Sequence, residues 1–359
     1  MRKTLYLFVL VLPVLLTATV RPIEAVPTHE SGTPFEFSNQ DTSPTEMPVP
    51  EGLLRHPFAP VGVPGAHVLK QGKWMLSYTY GHMGMDGNLN GTADVSNAEL
   101  LRRYPVVPES MDVDMHMVCG MYGITDDFTA MVMVPYSFKS MTMVMRNGTR
   151  FTTHSDGIGD LQLAGLYSLY RGDMNQVVFY GGLSVPTGSL DARDDTPTAR
   201  DSKLGYTMQL GSGTVDLNPA LTYMGKLGRV HWGAQVSGVL RIDENEYDYR
   251  LGDRYRITGW AGYQLFNGVI GSLRLDWQSW DHIHGADPEL NPASTPGKDP
   301  NFRGGDRLDI LPGVAWYLDK GPLKGNRLFL EGGVPVYQWL DGPQTATTWL
   351  LTAGWKLVF

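Results

Sequence analysis

The chain has 359 residues, 42 of them Gly, with 12 Phe, 17 Tyr, 9 Trp, 17 Met and one Cys, and a formal net charge of -8. Charged residues make up 18 %, below the usual ~25 %, and glycine is well above its usual ~7 %, which argues against an acidic disordered chain and against a helical bundle. A single Cys excludes an internal disulfide framework, and 37 acidic against 29 basic residues give no electrostatic footprint for nucleic acid.

Residues 1–25 open with Arg2 and Lys3, run through an apolar stretch over 5–16 and reach Ala25, the layout of a secretory signal peptide. The apolar stretch is shorter than the ~20 residues a spanning helix needs. Cys119 is the only Cys, so no lipid attachment follows the signal. Removing Arg2, Lys3, Arg21 and Glu24 with the signal takes the charge from -8 to -10, so the exported chain is acidic. Residues 26–72 are rich in Pro with Ser, Thr, Glu and Gly and show neither helical nor strand periodicity. They predict a disordered extension, lying in the periplasm or folding into whatever follows.

From residue 73 to 359 the pattern changes to short alternating segments separated by Gly, Asp, Asn and Pro. In 160–170, Leu161, Leu163, Gly165, Tyr167 and Leu169 share one face, which is period two and hence a strand. The same pattern marks 73–85, 110–123, 128–146, 177–185, 213–226, 230–243, 253–265, 268–283, 305–318, 327–340 and 347–359. Connections alternate in length: 124–127, 171–174, 226–229, 266–267 and 319–326 are compact, while the other set includes 86–109, 187–212 and 284–304. Short turns on one side and long loops on the other belong to outer-membrane barrels. In the last segment Trp349, Leu351, Ala353, Trp355, Leu357 and Phe359 share a face, an apolar alternation ending on an aromatic.

The expected fold is therefore all-β: a transmembrane antiparallel up-and-down β-barrel of about twelve strands over 73–359 in the bacterial outer membrane. Closure is required because unpaired amides in hydrocarbon cost several kcal/mol. Tyr78, Tyr167, Tyr255, Tyr263, Trp232 and Trp355 suit aromatic girdles in outer-membrane lipid. Lys139, Asp160, Asp216, Arg241, Arg254, Arg256, Arg274, Asp276, Arg307, Asp309, Glu331 and Lys356, spread through the strands, are expected mostly on a polar lumen. A soluble β-sandwich is the competing fold, but it does not need an apolar face on every strand.

The segments 74–80 (WMLSYTY), 115–136 (MHMVCGMYGITDDFTAMVMVPY), 155–167 (SDGIGDLQLAGLY), 182–188 (GLSVPTG) and 211–223 (GSGTVDLNPALTY) resemble a family of bacterial outer-membrane transporters named for the meta-cleavage pathway of phenol degradation. The resemblance implies an exported barrel with an uptake or efflux role. It carries over no catalytic residue. Closing strands of such barrels resemble the 347–359 segment, and the barrel-assembly machinery is expected to read Phe359.

Methionine is the compositional anomaly, since twelve of the 17 Met lie between residues 75 and 145. Met131, Met133, Met141 and Met143 share the third strand's polar face with Thr129, Ser137 and Lys139, and Met75, Met83 and Met85 share the first strand's with Ser77 and Thr79. Both sets should point inward. The second strand is ambiguous, because Met115, Met117, Cys119 and Met121 oppose Asp112, Asp114 and His116. A thioether wall suits either a slippery path for apolar solutes or soft monovalent copper or silver. His282 and His284 with Asp281 and Asp287 are weak candidates for a divalent cation. No cofactor is implied, and no GxSxG, HExxH or phosphate-loop motif occurs. The expected function is a channel for a small, apolar or aromatic solute. Soft-metal handling, a non-conducting binding barrel and an outer-membrane hydrolase are the alternatives.

Overall fold

The computed structural model describes residues 56–318 and 320–359. The expected signal peptide over 1–25 and residues 26–55 of the expected extension lie outside them. Eleven ladder segments close into one antiparallel barrel: β1 (Trp74–Gly91), β2 (Val106–Gly123), β3 (Phe128–Met145), β4 (Leu161–Arg171), β5 (Asn175–Val185), β6 (Asp216–Leu227), β7 (Val230–Arg241), β8 (Arg254–Phe266), β9 (Val269–Trp280), β10 (Gly305–Leu318) and β11 (Asn326–Val358). Each pairs with its sequence neighbours, and β11 closes the ring on β1, with Met75 opposite Val358. β11 reverses direction around Gly342, whose φ of 76° only glycine adopts freely. Its first half pairs with β10 up to Leu340 and its second half with β1 from Gln344, so the wall has the twelve passes expected.

The alternation is inverted relative to a soluble protein. On β4, Leu163, Tyr167 and Leu169 are exposed on the outer face, whereas Leu166 and Ser168 are buried inside. The same outer belt continues through Phe179, Leu183, Leu221, Ile257, Leu273, Val314, Trp316, Leu330 and Trp349. Exposed apolar residues in so continuous a band mark a membrane face. The protein is an outer-membrane β-barrel.

Strands β1, β2 and β3 have 18 residues each, against 11 to 14 for β4 to β10. A tilted span needs only ~9–11 residues, so the surplus stands clear of the bilayer on the side of the long loops. There β1 continues through a stretch expected as loop, pairing over Asn88–Asn90 with Ala93–Val95, and β3 gains Arg150–Ile158 as a further partner.

Residues 56–72 take the second of the two courses open to the extension and fold into the barrel at the end of the short turns. Phe58, Ala59, Val63 and Ala66 are buried against Met224, Trp260, Ile270, Ala315, Tyr317 and Phe329. Three prolines in this stretch, Pro57, Pro60 and Pro64, cannot donate to a ladder, so wall side chains meet its carbonyls instead. Trp260 Nε1 donates to Phe58 O at 2.9 Å, and Gln235 Nε2 donates to Pro64 O at 2.8 Å. The Leu69 amide donates to Thr129 Oγ1 at 2.8 Å. Fully burying a side chain such as Phe58 or Val63 contributes about 1.5–3 kcal/mol, so the segment is a seated plug.

Candidate functional site: a lumen with two unlike walls

Inward positions on β1, β2 and β3 form a thioether wall. The second-strand ambiguity resolves in favour of the sulfurs: Met111, Cys119 and Met121 are buried inside, while Asp112 is exposed on the outer face. The outward Asp114 is compensated locally, receiving Tyr80 Oη and lying 2.8 Å from His82 Nδ1. The wall falls into two groups. Cys119, Met121 and Met131, with Met75 and Met133 packed against them, lie over the plug residue Leu69. Met111 and Met141, with Met83, Met85 and Met143, enclose Met208 and Leu204.

Met208 comes from the loop after β5, which folds into the lumen from the other end. Its short 3-10 turn Tyr206–Met208 is pinned by Lys139, whose Nζ donates to Thr207 O at 3.0 Å and Gln209 O at 2.5 Å. Ser155 Oγ donates to Met208 O at 2.7 Å. Asp160 accepts from Ser212 N at 2.7 Å, from Ser212 Oγ at 2.8 Å and from Gly188 N at 3.0 Å. Lys139 and Asp160, expected as lumen-lining charges, are thus occupied in holding this loop.

The opposite wall, β7 to β10, carries the arginines. Arg274 is buried with Nη2 at 2.5 Å from Glu331 Oε1 and Nη1 at 3.1 Å from Asp276 Oδ1. Arg256 Nε lies 2.6 Å from Asp276, Arg307 Nε lies 3.0 Å from Asp309, and Arg241 pairs with Asp216. Such pairing is what lets charges stay inside, since an unpaired buried ion costs several kcal/mol. The walls meet where Arg307 Nη1 donates to Thr347 Oγ1 at 2.8 Å and to Met83 Sδ at 3.6 Å. The plug sits under this belt: a Cβ on Gly62 would collide with Arg274 Nη2. Arg254 also faces inward, and its side chain is exposed.

Sequence reasoning missed Met208 and the plug residues, because neither lies in an alternating segment. His56 and His67 of the plug are both held below the ordinary imidazole range. Burial is the main cause, followed for His56 by Lys226, Arg327, Arg171 and Lys70 and for His67 by Arg327 and Lys356. The rings of His282 and His284 lie 4.9 Å apart. Asp287, expected beside them, is instead buried in an ion pair with Lys203 at 2.7 Å. Among the described residues no group of three or more His, Cys, Asp or Glu is placed to hold a metal ion.

The outer membrane channel of the COG4313 group from Pseudomonas putida F1 is similar in fold, with a TM-score of 0.56 at 13 % identity over 82 % of this chain and 98 % of that one. The toluene transporter TodX of P. putida aligns with a TM-score of 0.40 at 9 % identity, over 81 % of this chain and 91 % of that one. A search of curated proteins found no match. A family model described as "Putative MetA-pathway of phenol degradation" matches residues 111–323, spanning β2 to β10, and the chain belongs to that family.

Proposed function

We propose that this barrel is an outer-membrane channel passing a small, largely apolar or aromatic solute, and that it is not an enzyme. The observation that carries the reading is the asymmetric lumen, with Met83, Met85, Met141, Met143 and Met208 facing a belt of paired arginines. Thioethers are polarizable, adaptable and favourable to aromatic rings, so the wall can hold an apolar solute without gripping one shape. The seated plug and the inward loop narrow the barrel from both ends, as suits a solute-specific path better than a wide aqueous pore. The fold likeness to an outer membrane channel agrees with this.

Arg307 speaks against the soft-metal alternative, because a guanidinium already donates to Met83 and would repel a monovalent cation there. We also read the short turns as periplasmic and Phe359, whose amide and carbonyl pair with Trp74 at 3.0 Å, as the signal to the assembly machinery. Purified protein in planar bilayers should show stepwise conductance and, in liposomes, benzyl alcohol influx. Esterase turnover without conductance would establish the hydrolase instead. On intact cells a tag between Thr198 and Ala199 should be labelled and one at Gly172 should not; the reverse would invert the orientation.

A further inference from the structure

Four inward arginines of the belt, Arg241, Arg256, Arg274 and Arg307, each have a carboxylate partner. Arg254 does not. It lies on β8 two residues before Arg256, so its side chain projects to the same inner face. Among the described residues no hydrogen bond or ion pair engages its guanidinium. The charged groups that act on it are cations, Arg241 and Arg307 beside it, and it acts in turn on Lys139 of the facing wall. Its exposure is therefore exposure to the lumen. In a chain of net charge -8, this node of positive charge comes from local placement and not from composition.

The node adjoins the thioether wall through Arg307 and Met83. We propose that Arg254 is an anion-reading step on the solute path, taking the carboxylate of a small aromatic monoanion of the benzoate type while its ring lies against the methionines. The site rests on the transport reading above and deepens it. A guanidinium offers a planar fork of donors that matches a carboxylate two-to-two, and sulfur contacts favour the ring. A neutral hydrocarbon would satisfy only the second of these.

The full-length protein in detergent, titrated calorimetrically with sodium benzoate, tests the site directly. Wild type and Arg254→Lys should bind, and Arg254→Gln should bind at least tenfold more weakly. Because Arg254 makes no contact that folding depends on, all three should give the same heat-modifiable band. Benzyl alcohol influx into liposomes should be equal in the three proteins. Equal benzoate affinity in wild type and Arg254→Gln would overturn the proposal, as would no benzoate binding by wild type. Absent benzyl alcohol influx in wild type defeats the transport reading alone, while the calorimetric comparison still decides Arg254.

Discussion

Across the lumen from each other, β1–β3 and β7–β10 fill the same barrel interior with different side chains. The first wall uses methionine, which needs no partner and repacks at small cost. The second uses arginine, and each of Arg241, Arg256, Arg274 and Arg307 has a carboxylate from its own strand or one at most two strands away, as Glu331 of β11 is for Arg274 of β9. The difference separates two kinds of lumen residue. The paired arginines are tied into the wall, so they set its shape and leave little charge to offer. The methionines that stay only part-buried, Met83, Met85 and Met143, and the unpaired Arg254 are the side chains left open on the inner face.

Breaking the arginine wall should produce the largest effect. Glu331→Leu leaves Arg274 with Asp276 as its one paired carboxylate, which it shares with Arg256, and a hydrogen bond to Thr258 Oγ1. Removing one partner of a buried pair costs roughly 3–5 kcal/mol. The heat-modification midpoint should fall well below wild type, and the double variant Arg274→Met with Glu331→Leu should recover much of the loss. A single variant as stable as wild type would mean that the pair contributes nothing.

Phe58 tests whether the plug is seated by packing. It is buried against Trp260, Tyr317 and Ile270, with its ring 6.4 Å from that of His231. Phe58→Ala removes a buried aromatic, a change that costs roughly 3–5 kcal/mol, here charged against docking of residues 56–72 and not against the barrel. Hydrogen exchange over 56–72 should quicken and single-channel conductance should rise, with the barrel's thermal midpoint nearly unchanged. An unaltered conductance would show that the plug leaves the path clear.

The same plug should respond to pH. His56 and His67 titrate below their free value when docked, so an undocked plug binds more protons near and below pH ~6.5. Docking is then fully favourable above that value and weakens as pH falls through it, because protonation would set further cations beside Arg327, Lys356 and Lys226. Conductance should increase on acidification below pH ~6.5, and the double variant His56→Gln with His67→Gln should lose most of that dependence. A rise on alkalinisation would contradict the sign.

Much of this architecture was legible because a bilayer imposes a strict code. Leu163, Tyr167 and Leu169 must face lipid, and period two then fixes the inward residues of β4 up to the register shift after Ser168. The code ends where the bilayer ends. The continuation of β1 to Gly91 and the Arg150–Ile158 strand read as loop, since outside hydrocarbon neither face needs to be apolar. On β2 the alternation of Met with Asp and His was readable, but its sense was not: Asp114 faces outward because Tyr80 and His82 serve it there. The plug and Met208 had no periodic signal, because their positions depend on side chains from distant strands such as Trp260, Gln235 and Lys139.

The smallest effect should come from the methionine wall itself. Met131 and Met133 belong to the group over Leu69, and Met141 and Met143 to the group around Met208. Replacing all four with Leu keeps volume roughly constant, and such swaps usually cost under ~1.5 kcal/mol each. If the wall only provides an apolar surface, benzyl alcohol influx should stay within about twofold of wild type and copper and silver tolerance should not move. The thioether-specific part is the contact with an aromatic ring, worth ~0.3–1.5 kcal/mol, so benzoate affinity should drop a few-fold at most. That loss should come from Met141 and Met143, which share the Met83 and Met208 group near Arg254, and not from Met131 and Met133. A selective change in silver tolerance at normal barrel abundance would reverse the argument, making the sulfurs ligands instead of a surface.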